Sequence, residues 1–127
     1  MKKFKTNFET IFDCIKLARE NDFIFASIWI HPSDINLDLK INEQINKLEN
    51  IYLENSKYII WIWECWLDYF HLSKNQEIRK KQIEMQKKYF VEQINLAKKY
   101  NLPLIIHNRD SKDDIYDILI KQDYKTI

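Results

Sequence analysis

The chain has 127 residues, 46% of them apolar, enough to bury one core and confine it to one domain or a piece of one. Twenty bases stand against nineteen acids, so neither a nucleic-acid-coating basic surface nor an acidic disordered tail is indicated, and partners have to be argued from a site. Glycine is absent, where average usage of about 7% would give about nine, while four tryptophans occur at Trp29, Trp61, Trp63 and Trp66.

In chain order, Phe8, Ile11, Phe12, Ile15 and Ala18 recur at spacings of three and four and predict an amphipathic helix. Phe23 to Ile30 reads as a strand covered on both faces, closed by His31-Pro32. Ile41, Ile45, Leu48 and Tyr52 form the stripe of a second helix, followed by an apolar run from Tyr58 to Trp63 that Glu64 closes. A long helix is expected over 75–100, with Ile83, Phe90, Ile94 and Ala97 inward among lysines and glutamines. A third strand, Leu104 to Ile106, ends at His107. Ser111 and Asp114 then form a capping-box-like start to a helix bearing Ile115, Ile118 and Leu119.

This alternation predicts an α/β fold with a parallel sheet built by crossovers. Each strand hands over to an ionisable residue: His31, then Glu64, then His107 with Arg109. In (β/α)8 barrels and open α/β sheets alike, ligands and chemistry gather at that edge. The Glu64 carboxylate at the mouth of the sheet needs a partner, which a metal ion or a structural salt bridge could supply. His107 suits a divalent metal, and equally a hydrogen-bonded core position. His31 is placed to touch an anionic substrate or to cap its own loop. Arg109 offers the planar fork that grips phosphate, or a salt bridge to Asp113 or Asp114. Asp68 and Tyr69 lie in the loop after Glu64, where a short acid most often binds nearby backbone amides.

Other positions carry less. His71 stands in a polar loop with no special pattern. Cys14 and Cys65 are too few for a disulfide framework, lack a paired zinc spacing and imply a reduced compartment. The basic runs Arg79-Lys80-Lys81, Lys87-Lys88 and Lys98-Lys99 read as a solvated helix face. No export signal follows the basic start, because Asn7, Glu9, Thr10 and Asp13 interrupt any apolar core, and no run approaches the roughly 20 residues of a membrane span. A cytoplasmic location is expected, with no membrane and no protein partner.

At Trp29-Ile30-His31-Pro32, at Glu64-Cys65-Trp66-Leu67-Asp68-Tyr69 and at Leu102-Pro103-Leu104-Ile105-Ile106-His107-Asn108-Arg109-Asp110, the chain resembles the TatD family of metal-dependent deoxyribonucleases. The glutamine-rich segment from Gln82 to Ala97 is similar as well. The resemblance implies a (β/α)8 TIM barrel with a divalent metal pair, in which Glu64 bridges the two ions, His107 binds one of them, His31 and Arg109 line the substrate pocket and Asp68 supports the site. No residue is assigned a further catalytic role. It also implies phosphodiester hydrolysis in DNA by a metal-activated water. A barrel of that kind needs about 250 residues, so residues 1–127 read as a single incomplete domain holding its middle strands and helices. With two expected ligands, this stretch alone should bind metals weakly and cleave DNA poorly.

Trp29, Trp63 and Trp66 stand where the family pattern has glycine, and Trp61 where it has glycine or another small residue. We expect these positions to be glycine in the cell, encoded by UGA codons, which also accounts for the missing glycines. Two other classes compete with the nuclease: a non-enzymatic module stacking single-stranded bases on its clustered tryptophans, and a related metal-dependent amidohydrolase.

Overall fold

The computed structural model describes residues 7–28, 30, 40–70 and 72–122, with backbone only at residue 7 and over 61–66. Trp29, His31 and His71 lie outside the described residues. The elements run α1 (Asn7–Glu20), β1 (Ala26–Ile28), α2 (Ile41–Asn55), β2 (Ile59–Asp68), α3 (Gln76–Lys99), β3 (Leu104–Arg109) and α4 (Lys112–Lys121). The strands form one sheet in the order β1-β2-β3, with both neighbouring pairs parallel. Sequential order is that of an arc of a (β/α)8 barrel, and equally of one half of a doubly wound sheet, whose order reverses only at its switch point. The α/β expectation holds.

The core follows the helical stripes. Ile11, Ile15 and Ala18 of α1 are buried, as are Ile45, Leu48 and Ile51 of α2, and they join Ala26, Ile28, Ile59 and Leu67 of the sheet. Phe12, expected on the α1 stripe, is half exposed, because Ile11 and Ile15 already define the inward direction. The central helix α3 buries Tyr89, Phe90, Ile94 and Ala97. Its start is capped by Asn75, whose Oδ1 accepts from the Glu77 and Ile78 amides at 3.0 and 3.1 Å. Its end is closed by Asn101 in the left-handed region (φ 53°), with Leu102 N–H donating to the Ala97 carbonyl and Asn101 N–H to the Lys98 carbonyl. That position usually takes glycine, and asparagine is the usual substitute in a chain without any.

Three expected boundaries move. Phe23, Ile24 and Phe25 precede β1 rather than form it, and Phe23 is almost fully exposed. The chain is still turning there: the Ile24 amide donates to the Asn21 carbonyl, and Asn21 Nδ2 donates to the Leu17 carbonyl at 3.0 Å. Glu64 does not end β2, which runs on to Asp68 because residues 65–68 pair with 106–109 of β3. By the same pairing β3 continues through His107 to Arg109.

Candidate functional site at the C-terminal edge of the sheet

Between β2 and β3 the register passes from Ile62↔Leu104 to Cys65↔Ile106, so β2 spends three residue steps where β3 spends two. Glu64 stands inside this irregular stretch, a bulge of the kind that re-aims a strand near functional sites. From Cys65 onward the pairing is regular, with Trp66 opposite His107 and Asp68 opposite Arg109. His107 and Arg109 lie two residues apart on β3, hence on one face, and both are exposed, whereas Leu104 to Ile106 are partly covered.

The main chain beyond the strands is held from the helices. Asp68 N–H donates to Gln86 Oε1 at 2.8 Å, and Gln86 Nε2 donates back to the Asp68 carbonyl at 3.0 Å. Ile30 N–H, just past β1, donates to Gln93 Oε1 at 2.8 Å, and Ser73 N–H donates to Gln82 Oε1 at 2.8 Å. At 3.6 residues per turn, positions 82, 86 and 93 fall within about 40° of one another on α3. Gln86 and Gln93 are buried beside the apolar residues that the spacing places inward. The signal available in the sequence was their shared helical face.

Asp68, buried, accepts from the Phe70 amide through Oδ1 at 3.0 Å, the local turn that short acids favour. Tyr69 N–H donates to the Arg109 carbonyl at 2.9 Å, and the Tyr69 hydroxyl donates to Asp114 Oδ2 at 2.6 Å. Lys87 approaches the same carboxylate at 3.4 Å. The hydrogen bond from Tyr69, aided by Lys87, holds Asp114 below the usual carboxylate range; burial, then the Asp114 contact, pushes the Tyr69 phenol up. Asp114 is therefore engaged by Tyr69 and Lys87. The Arg109 guanidinium instead lies 5.6 Å from the centre of the Phe70 ring.

Ser111 does occupy the N-cap position of α4, but its side chain makes no capping bond. The capping-box expectation fails because the buried hydroxyl donates to the Leu67 carbonyl at 2.6 Å and Asp114 turns to Tyr69. The Asp110 backbone, in the left-handed region (φ 57°), makes the turn between β3 and this helix.

Glu64 and His107 thus sit on adjacent strands, Glu64 two residues before the partner of His107. Carboxylate and imidazole donors suit a divalent cation, so these residues fit part of a ligand set. Among the described residues, no group of three or more His, Cys, Asp or Glu is placed to hold a metal ion. Cys14 carries a free thiol, and among the described residues no helix is long and apolar enough to cross a membrane.

A family model described as TatD related DNase matches residues 1–127. The uncharacterized metal-dependent hydrolase YabD of Bacillus subtilis is 37% identical over 110 residues, covering 87% of this chain and 39% of that protein. The deoxyribonuclease Tat-D of Schizosaccharomyces pombe is 27% identical over 121 residues, covering 91% of the chain and 37% of its own length. The chain therefore spans well under half of these relatives. The crystal structure of YJJV, a TatD homologue from Escherichia coli K12, superposes with a TM-score of 0.73 at 23% identity, covering 94% of this chain and 42% of that one, and so shares the fold. Sequential parallel strands, ionisable residues toward the C-terminal ends of β2 and β3, and a family match over residues 1–127 agree: this chain belongs to the TatD family.

Proposed function

We propose that this chain supplies part of the active site of a divalent-metal-dependent nuclease that hydrolyses phosphodiester bonds in DNA, with Glu64 and His107 as metal ligands and His31 and Arg109 contacting substrate. The observation that supports it most directly is the β2–β3 register, which sets the bulge bearing Glu64 beside the exposed end of β3 bearing His107 and Arg109. A bound metal pair supplies Lewis acidity and charge neutralisation at the phosphodiester. Arg109, an always-charged planar fork, binds a phosphate oxygen pair and orients the scissile group. Asp68 supports the turn rather than touching substrate. Further ligands come from outside the residues described.

The test is Mn²⁺-dependent cleavage of single-stranded DNA by the protein that carries this chain, together with direct Mn²⁺ binding followed by electron paramagnetic resonance. Cleavage should stop on adding chelator. Glu64→Gln and His107→Ala should each weaken Mn²⁺ binding by about ten- to a hundred-fold or more, since even partners behind the ligands carry effects of that size. DNA binding that ignores chelator, with no cleavage under any divalent metal, would overturn the reading in favour of a non-enzymatic module.

A further inference from the structure

Of the exposed aromatic rings among the described residues, Phe12 is on α1, Phe23 and Phe25 precede β1, and Tyr116 is on α4. Phe70 differs from these in place: it follows Asp68, the last residue of β2, in the loop at the C-terminal edge, and it is 65% exposed. A single exposed apolar side chain is ordinary on a protein surface. What is not ordinary is how this one is held. Its amide is tied to Asp68 Oδ1, and the Asp68 main chain is gripped on both its polar groups by the buried Gln86. The Arg109 guanidinium lies over the ring, 5.6 Å from its centre, and the Arg109 main chain is in turn fixed through its carbonyl by the Tyr69 amide. An aromatic surface and a cation are therefore presented together by main chain that is already ordered, so docking a flat ligand costs little further entropy.

We propose that Phe70 is a stacking site for one nucleobase of a single-stranded substrate, with Arg109 holding the adjoining phosphate. Every base has a π-face, so such a site selects unstacked nucleic acid over duplex without reading sequence. His107, two residues before Arg109 on the same face of β3, places this subsite next to the candidate metal ligand. The proposal rests on the nuclease reading of that edge, and names the residue that would make it prefer base-bearing single strands.

The experiment is fluorescence anisotropy with a labelled oligothymidylate and an abasic strand of equal length, in chelator so that no turnover occurs. Phe70→Ala should weaken oligothymidylate binding about tenfold or more, the loss of one stacked base. Binding of the abasic strand should stay unchanged, and Phe70→Trp should restore binding of the thymidylate. Equal loss on both strands, or loss on neither, overturns the proposal. Base-dependent binding through Phe70 without any metal-dependent cleavage would support the stacking site while removing the nuclease reading. Cleavage of oligothymidylate whose KM ignores Phe70→Ala would do the reverse.

Discussion

The two ends of the sheet are fastened by different means. At the end where strands begin, helices are tied to helices through side chains: Lys99 to Glu49 at 2.8 Å, the Tyr100 hydroxyl to the same carboxylate at 2.9 Å, and the Tyr52 and Tyr100 rings 4.7 Å apart. Arg19 donates to Asn55 Oδ1 at 2.8 Å and lies over the Tyr58 ring. At the end where strands finish, side-chain contacts to Asp114 are joined by side chains of α3 and Ser111 that grip main chain, at Ile30, Leu67, Asp68 and Ser73. The reason is that chain leaving a strand loses its ladder partners, and a buried amide or carbonyl without a replacement costs about 1 to 3 kcal/mol. An edge that must present side chains at fixed positions is thus held by glutamines that present none.

The largest expected effect falls on the four tryptophans, three of which lie on the central strand β2. If positions 29, 61, 63 and 66 are glycine in the cell, the version with tryptophan carries an overpacking cost of about 1 to 3 kcal/mol at each site. Protein made with Trp29→Gly, Trp61→Gly, Trp63→Gly and Trp66→Gly should then unfold at higher urea than the all-tryptophan form. Peptides from the native host should carry glycine there, and genuine tryptophan in those peptides would remove the idea.

Next comes the contrast itself. Gln86→Leu keeps the volume but strands two buried main-chain groups of Asp68, and should cost about 2 to 5 kcal/mol in urea unfolding. Glu49→Gln at the opposite end, where Lys99 is solvent-exposed and the Tyr100 hydroxyl can still donate to the amide, should shift the midpoint little. Comparable losses at both ends would erase the distinction drawn between them.

Ser111 sharpens it further. Aspartate is as good an N-cap as serine, so Ser111→Asp would be neutral if the residue served α4. Because its hydroxyl donates to the buried Leu67 carbonyl, a carboxylate that cannot donate should instead cost about 2 kcal/mol. A neutral result would return Ser111 to the capping role.

These cases show which features the sequence carries openly. Helix α3 is bounded as its spacing predicts because Asn75 and Asn101 act locally, within one turn of the ends they close. The run through Glu64 was misjudged because a charge reads as a stop, while the pairing that carries β2 to Asp68 depends on residues some forty positions away. The inward glutamines escaped for a related reason: their partners are main-chain groups, which have no signature in composition. Phe23 to Phe25 look like strand by residue type, while the local turn signal is the Asn21-Asp22 pair just before them, whose bonds carry the turn on to Ile24. The candidate ligands stand out by residue type and by the motifs around them, although neither strand ends at the ionisable residue expected to close it; what steadies them has no such mark.

A smaller loss than at Gln86 or Ser111 is expected at Tyr69, whose bond to Asp114 ties the β2 loop to α4. Tyr69→Phe should cost about 1 kcal/mol near pH 7, one partly solvated hydrogen bond to a charged acceptor. The pH dependence is more diagnostic. The folded phenol titrates above its unfolded value of about 10, so its contribution is complete below that pH and fades as pH rises toward the folded value. Asp114 is shifted the opposite way, so its contribution is present above about pH 4 and is lost as pH falls through its folded value. The gap between wild type and Tyr69→Phe in urea midpoint should therefore be widest between these limits and close on both sides. A gap that stays constant across the range would mean that the hydroxyl contributes through packing, and that the loop is held at this edge by its main-chain bonds to Gln86, Arg109 and Asp68.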